Sequence, residues 1–301
     1  MRESGRRVFL AGGGTGGHLS PGLALAEALR RRRPGTAIAF SCTRRAVDQK
    51  LLGGCGYPVT PMAALPFRPA PWTWPRFLVS LVHVGNQARR RLREFCPDVV
   101  VGLGGFASYG PVRVGQKYGA GTVVLNPDIA PGRANRRLAL RADLVCCQFD
   151  ETVEILRERV PRMRGRAAVT GCPIRRSIVG RDRTEAAQGL GLDPSRRTLL
   201  VTGASLGART VNRAVVSLLE AARLPEGWQV LHLTGEADYA DVAAAYTRLD
   251  ARGVVHAFEA DMGLAYAAAD LAVARAGAST IAELAAAGVP AVYMPYPFHR
   301  D

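Results

Sequence analysis

Seven residues near the start of the chain, Gly12-Gly13-Gly14-Thr15-Gly16-Gly17-His18, combine unusual backbone freedom with one ionisable ring. The apolar stretch Val8-Phe9-Leu10-Ala11 precedes them and reads as a short buried strand. Leu19 to Leu29 follows and reads as a helix with Pro21 near its start. Strand, glycine turn and helix N-terminus make a place where backbone N–H groups can face an anion. Glycine turns tightly and admits a phosphate close to the backbone, and the helix dipole favours negative charge there. Two further glycine turns follow apolar stretches: Gly102-Leu103-Gly104-Gly105-Phe106-Ala107-Ser108 and Gly203-Ala204-Ser205-Leu206-Gly207-Ala208. One such turn is usually plain strand-to-helix geometry. Three, spread over both halves, point to ligand binding beyond the carboxyl ends of the strands.

The type of ligand is narrowed by what surrounds the first turn. The Walker pattern nearly fits Gly12 to Gly17, but His18 stands where lysine is required, so the β/γ-phosphate clamp of an ATPase or kinase is absent. The dinucleotide pattern fits Gly12, Gly14 and Gly17. An NAD site wants an acidic residue at the end of the second strand, and here that strand ends in Ser41-Cys42-Thr43-Arg44-Arg45. The residues alone leave open an NADP-dependent oxidoreductase using Gly12, Gly14, Gly17, Arg44 and Arg45. They also leave open a binding protein that keeps a nucleotide cleft without turnover.

The elements that must position these turns alternate along the chain. Strands are expected at 37–40, 98–101, 122–125 and near 165–173, with helices around 75–95 and 131–140. A second series starts at Thr198-Leu199-Leu200-Val201 and runs through strands at 229–233, 254–256, 271–274 and 291–294, with helices at 207–222 and 238–250. Short apolar strands separated by helices imply parallel sheets covered on both faces. The fold class is therefore α/β, with two Rossmann-like domains, 1–168 and 169–301, facing a cleft.

Composition bounds the remaining choices. At 301 residues the chain can bury two cores, and 48% hydrophobic content with a mean hydropathy of +0.03 is that of a globular protein. No apolar run reaches the roughly 18 residues of a membrane span, and no signal-peptide core precedes the first strand, so a cytoplasmic setting is expected. The net charge is +15, and only Lys50 and Lys117 among 40 basic residues are lysines. That balance fits an acidic partner, a phosphorylated substrate or an anionic membrane surface. The arginines are scattered and no nucleic-acid module is evident, so nucleic acid is not expected. Cys42, Cys55, Cys96, Cys146, Cys147 and Cys172 form no CxxC pair or zinc spacing and are assigned no chemistry.

Gly13-Gly14-Thr15-Gly16-Gly17-His18 followed by Pro21-Gly22-Leu23-Ala24 resembles the first glycine loop of the MurG family. The similarity continues in Val101-Gly102-Leu103-Gly104-Gly105-Phe106, in Val169-Thr170-Gly171-Cys172-Pro173-Ile174-Arg175 and in Gly203 to Ala208. It ends in Ala276-Gly277-Ala278-Ser279-Thr280-Ile281-Ala282-Glu283, and the blocks come in family order over nearly the whole chain. The resemblance implies a GT-B fold and an inverting UDP-N-acetylglucosamine transferase of peptidoglycan synthesis. Its acceptor would be the undecaprenyl-diphosphate-linked lipid I, and no essential metal or cofactor is implied. Another GT-B transferase acting on a different lipid or glycan is the near alternative.

By the same resemblance, Thr15, Gly16 and Gly17 meet the transferred sugar, and Gly13, Gly14, Gly104 and Gly105 face the acceptor's diphosphate. His18 is a candidate base or phosphate contact, with a helix-capping histidine as the plain alternative. Arg175 and Ser205 match residues that hold the UDP diphosphate, a role suited to charge-assisted bonds; a simple N-cap is the alternative for Ser205. Ala278, Ser279, Thr280, Ile281 and Ala282 belong to the donor block, and Glu283 matches the carboxylate on the ribose. Thr280 to Glu283 also reads as a capping box. Glu259 falls where the family contacts uracil through its backbone. The family's His-Glu-Gln-Asn is here Leu125-Asn126-Pro127-Asp128, so Asp128 stands where an asparagine contacts the sugar; it can accept but cannot donate as an amide does.

The aromatic and apolar stretch Pro71 to Val82, which carries Trp72, Trp74, Phe77 and Leu78 and is edged by Arg68 and Arg76, matches where such enzymes dock peripherally on the cytoplasmic face of the cell membrane. Ordinary helix core is the alternative. The chain stops at His299-Arg300-Asp301, where the family continues with a glutamine pair and closing helices, so a C-terminally shortened sequence is expected.

Overall fold

The computed structural model describes residues 5–66 and 70–296. The chain divides into two compact units, one ending at Pro173 and the next beginning at Ile174, whereas the sequence sets the boundary after residue 168. Arg68 and the terminal His299-Arg300-Asp301 lie outside the described residues.

The first unit runs β1 (Arg7–Ala11), α1 (Gly16–Arg32), β2 (Ala37–Thr43), α2 (Ala46–Leu52), β3 (Val59–Met62), α3 (Trp74–Phe95) and β4 (Val99–Gly102). It continues with α4 (Phe106–Lys117), β5 (Gly121–Asn126), α5 (Arg133–Ala139), β6 (Leu144–Cys147), α6 (Asp150–Arg159) and β7 (Arg166–Val169). All pairings are parallel, in the order β3-β2-β1-β4-β5-β6-β7. Alternate residues of each strand feed two cores. Phe9 and Ala11 join Val100, Val112 and Leu138 on one face. Val8 and Leu10 join Leu19, Phe40 and Leu103 on the other. That two-sided burial is why the strands read as unbroken apolar runs.

The second unit runs α7 (Arg183–Gly189), β8 (Arg197–Thr202), α8 (Arg209–Glu220), β9 (Trp228–Leu233), α9 (Tyr239–Arg248) and β10 (Gly253–His256). It ends with α10 (Met262–Ala268), β11 (Leu271–Arg275), α11 (Ala278–Ala287) and β12 (Ala291–Met294). Its sheet is also parallel, in the order β10-β9-β8-β11-β12. Leu200 and Leu231 fill one face, and Leu199, Val201 and Val230 the other.

In each unit the strand order reverses beside the first strand. The chain winds outward from β1 to β3 and returns to β4, and again from β8 to β10 and returns to β11. A ligand crevice forms at such a reversal, because the two connections leave the sheet in opposite directions. The three glycine turns follow β1, β4 and β8, and the fourth such place is the start of α11.

Four sequence expectations change. Strands β3 and β6 are additional; β3 is an edge strand carrying Pro61 and does not stand out in sequence. Helix α1 starts at Gly16, which places Pro21 inside the helix, and makes Gly16 and Gly17 its first turn. The capping box at Thr280 is not formed, because α11 is capped at Gly277 and Glu283 lies in its interior. Ser205 is not a cap either; α8 starts after Ala208.

Candidate functional site

In the first unit the turns after β1 and β4 pack on each other. Leu103 enters the space left by Gly12 and Gly22, where an added Cβ would fall 2.7 and 2.4 Å from it. His18, the third residue of α1, lays its ring against the second turn. A Cβ on Gly104 would stand 2.8 Å from its Cδ2, and one on Gly105 3.1 Å from its Cε1. Both glycines also have positive φ, 103° and 71°, so a side chain there is excluded twice over. His18 Nδ1 pairs with Thr15 Oγ1 at 3.0 Å. Thr15 is the N-cap of α1, yet its hydroxyl makes no cap bond and serves the ring instead. The helix-capping reading of His18 is thereby set aside.

Burial lowers the pKa of His18 from its ordinary value, opposed by the carboxylates of Asp128 and Asp48 and by the Gly13 backbone. A ring held neutral suits accepting a proton better than holding a phosphate as a fixed cation. Asp128 itself is exposed, on the loop after β5. Asn126 and Thr152 donate to its carbonyl, and its carboxylate charge acts on the His18 ring.

The first turn holds a residue that sequence reading passes over. Asp48, on α2, is fully buried and accepts the N–H of Gly14. Arg45 Nη1 donates to the Gly14 carbonyl at 2.8 Å, and its guanidinium lies 6.0 Å from the Phe106 ring. The Gly14 amide that a dinucleotide pyrophosphate would seek is thus committed to the protein's own carboxylate, and Arg45 is engaged with the loop.

In the second unit Arg175 lies just before a short 3₁₀ turn, Arg176–Ile178, that is anchored by the buried Ile178. Its Nε is buried and has no hydrogen-bond partner. Its charge is felt at Tyr266, whose phenol is driven well up by burial and by the carboxylate of Glu283. Tyr266 Oη donates to Glu283 Oε2 at 3.0 Å, and both residues are buried. Arg175, Tyr266 and Glu283 therefore form one cluster at the α10–α11 side of the sheet. Ala278, Ser279, Thr280, Ile281 and Ala282 make the first turns of α11, leading from β11 to Glu283. Tyr266 had no motif to mark it; only its partner did.

Ser205 sits half-buried in the turn after β8, where Ala204 takes a positive φ of 63°. Glu259 is half-buried, and its Oε1 accepts the Asp261 N–H at 2.7 Å. Arg275, at the end of β11, bridges Thr210 on α8 and the Pro295 carbonyl, a link absent from the sequence reading.

The aromatic stretch belongs to the first unit. Helix α3 buries Ser80, Val84, Ala88 and Leu92 at intervals of one turn. Trp72 is 81% exposed, and Trp74, Leu78, Val79 and Val82 also face solvent, with Phe77 partly covered. The helix-core alternative therefore fails for Trp72, Trp74 and Leu78. Beside them runs a groove lined by Leu65, Val79, Arg44, Arg76 and His83. Among the described residues no helix is long and apolar enough to cross a membrane.

Residues 8–146 match the glycosyltransferase family 28 N-terminal domain, and residues 198–301 match the family 28 C-terminal domain. The chain is 36% identical over 294 residues to a UDP-N-acetylglucosamine–N-acetylmuramyl-(pentapeptide) pyrophosphoryl-undecaprenol N-acetylglucosamine transferase of Thermodesulfovibrio yellowstonii, covering 97% of this chain and 79% of that one. It is 42% identical over 299 residues to the transferase of the same name from a Nocardioides species, covering 97% and 78%. The crystal structure of Acinetobacter baumannii MurG superposes with a TM-score of 0.65 at 24% identity, over 98% of this chain and 80% of that one, and establishes the fold as GT-B.

Proposed function

Because this chain belongs to the MurG family of glycosyltransferases, we propose that it transfers N-acetylglucosamine from UDP-N-acetylglucosamine to the muramyl sugar of lipid I, forming lipid II. The acceptor hydroxyl attacks the anomeric carbon, the bond to the UDP oxygen breaks, and configuration inverts. The hydroxyl proton must go to a base, and the charge that develops on the diphosphate must be met by donors.

The observation that carries this reading is the Arg175–Tyr266–Glu283 cluster. A buried guanidinium N–H without an acceptor is costly unless a ligand supplies one, and a diphosphate does. Glu283, fixed by Tyr266, offers carboxylate acceptors of the kind that ribose hydroxyls need. The second unit would thus bind the donor, with Ser205, the backbone at Glu259 and the start of α11 completing the contacts. In the first unit, neutral His18 is the base candidate, with Thr15 orienting its ring and Asp128 able to accept from sugar hydroxyls.

Exposed Trp72, Trp74 and Leu78 beside Arg76 support peripheral docking on the anionic cytoplasmic membrane face, where a lipid-linked acceptor resides. The test is turnover of UDP-N-acetylglucosamine with a lipid I analogue, following UDP release and glycolipid mass together. Transfer of one hexosamine per UDP supports the assignment. UDP-sugar binding with no transfer to a muramyl acceptor, while another glycan or lipid is glycosylated, would replace it.

A further inference from the structure

Asp48 belongs to none of the glycine motifs, yet its carboxylate lies at the centre of the first one. It is 0% exposed. Its Oδ2 accepts the Thr43 N–H at 2.9 Å, the Thr43 hydroxyl at 2.6 Å and the Gly14 N–H at 2.9 Å, and Oδ1 lies 3.1 Å from the same Gly14 nitrogen. A Cβ on Gly13 would fall 2.4 Å from Oδ2, so the bare backbone at that position is what admits the carboxylate. From the residue that caps α2, Arg45 holds the other side of Gly14 by its carbonyl. Gly13 and Gly14 have φ of 125° and 93°, and such residues lose the most conformational freedom on ordering.

We infer that Asp48 is a positioning residue: it serves as the built-in anion of the first glycine turn, filling the place where nucleotide-binding loops receive a ligand phosphate. Four donor–acceptor contacts around a fully buried carboxylate replace the phosphate that would otherwise order such a loop. Two consequences follow for the first unit. A ligand phosphate is excluded from the Gly14 amide, so a glycine pattern of dinucleotide type binds no dinucleotide here, and the acceptor diphosphate that the family resemblance sets at this turn does not use that amide. The turn is also ordered before substrate arrives, which fixes Thr15 and the His18 ring against Gly104 and Gly105. Misplacement of a reacting group by about 1 Å costs on the order of 100-fold in rate.

The effect on turnover rests on the transferase reading above; the effect on loop order does not. The experiment compares Asp48→Ala, which leaves a carboxylate-sized space, with Asp48→Asn, which fills it with an amide. Three readouts are taken on each: turnover, UDP affinity by calorimetry, and the His18 ring resonances by NMR, with and without formate. The expected result is a drop in kcat of about 10-fold or more in both variants, with UDP affinity held within about twofold. Formate should restore several-fold of the loss in Asp48→Ala alone, and should sharpen broadened His18 resonances in that variant only. Wild-type protein should ignore formate. Wild-type kcat in Asp48→Asn, or His18 resonances unchanged in both variants, would overturn the inference. So would a loss in a folded, UDP-binding Asp48→Ala that formate fails to touch. If Asp48→Ala does not fold, the Asn variant still decides through kcat and the His18 signal. If wild-type protein shows no transfer at all, the transferase reading falls while the NMR arm still tests Asp48.

Discussion

Replacing Arg175 by alanine isolates the step on which the donor assignment depends. In the free protein the Nε–H of Arg175 is buried and unpaired, so its desolvation is already spent before ligand arrives. A diphosphate oxygen placed there gains a charge-assisted hydrogen bond without a further desolvation cost on the arginine side. Such bonds contribute about 1.5–3 kcal/mol, and at about 1.4 kcal/mol per decade the loss in affinity for UDP is roughly 10- to 150-fold. Uridine lacks the diphosphate, so its affinity should change by less than about twofold. The guanidinium also acts on Tyr266, and through it on the Glu283 carboxylate, so uridine doubles as the control for an indirect effect on the ribose contact. Arg175→Lys keeps the charge but loses the planar fork, and should fall between wild type and alanine. Isothermal calorimetry of UDP and uridine against the three proteins measures this directly. Equal losses for both ligands, or a loss for UDP below about threefold, would refute the diphosphate role and return Arg175 to a structural one.

Three other outcomes are expected. Tyr266→Phe removes the donor to Glu283 Oε2 and should weaken UDP and uridine alike by about 1–2 kcal/mol, roughly 5- to 30-fold, by the same calorimetry; undiminished binding would show that this bond does not hold the carboxylate for ribose. His232 is completely buried between Tyr246 and Asn212, and burial lowers its pKa from 6.5 to about 4. A base depressed in the folded state is protonated first in the unfolded chain, so its contribution is whole above pH 6.5 and lost as pH falls to about 4, some 3 kcal/mol in all. Urea unfolding at stepped pH should therefore show a steeper acid loss for wild type than for His232→Gln, and parallel curves would contradict the assignment. The pair Trp72→Ala and Trp74→Ala should leave the melting temperature unchanged, because both rings are exposed, while lowering binding to anionic vesicles by about 10-fold or more in co-sedimentation; unchanged binding would move the docking surface elsewhere.

The glycine turns were legible because strand, turn and helix start are encoded within about ten neighbouring residues, and their chemistry is local. The two parallel sheets were legible for the same reason, since burial on both faces writes itself into each strand as an apolar run. Where signals were short or doubly meant, reading failed. The edge strand β3 carries a proline, and Thr280 to Glu283 looks like a cap although the helix starts two residues before Thr280.

The chain's own order of residues established the α/β class, the two series of strands and the family. Folding alone decided how the charged groups are spent. Asp48 meets Gly14 across 34 residues, Tyr266 meets Glu283 across 17, and no local pattern announces either pair. The same holds for Trp72, Trp74 and Leu78, whose apolar side chains would suit a core equally well. The register of α3, which turns Ser80, Val84, Ala88 and Leu92 inward, leaves Trp74 and Leu78 facing solvent, and Trp72 is exposed on the short turn that precedes the helix. Local propensity acts through neighbours in sequence, whereas burial, charge pairing and exposure depend on which distant surfaces the sheet brings together.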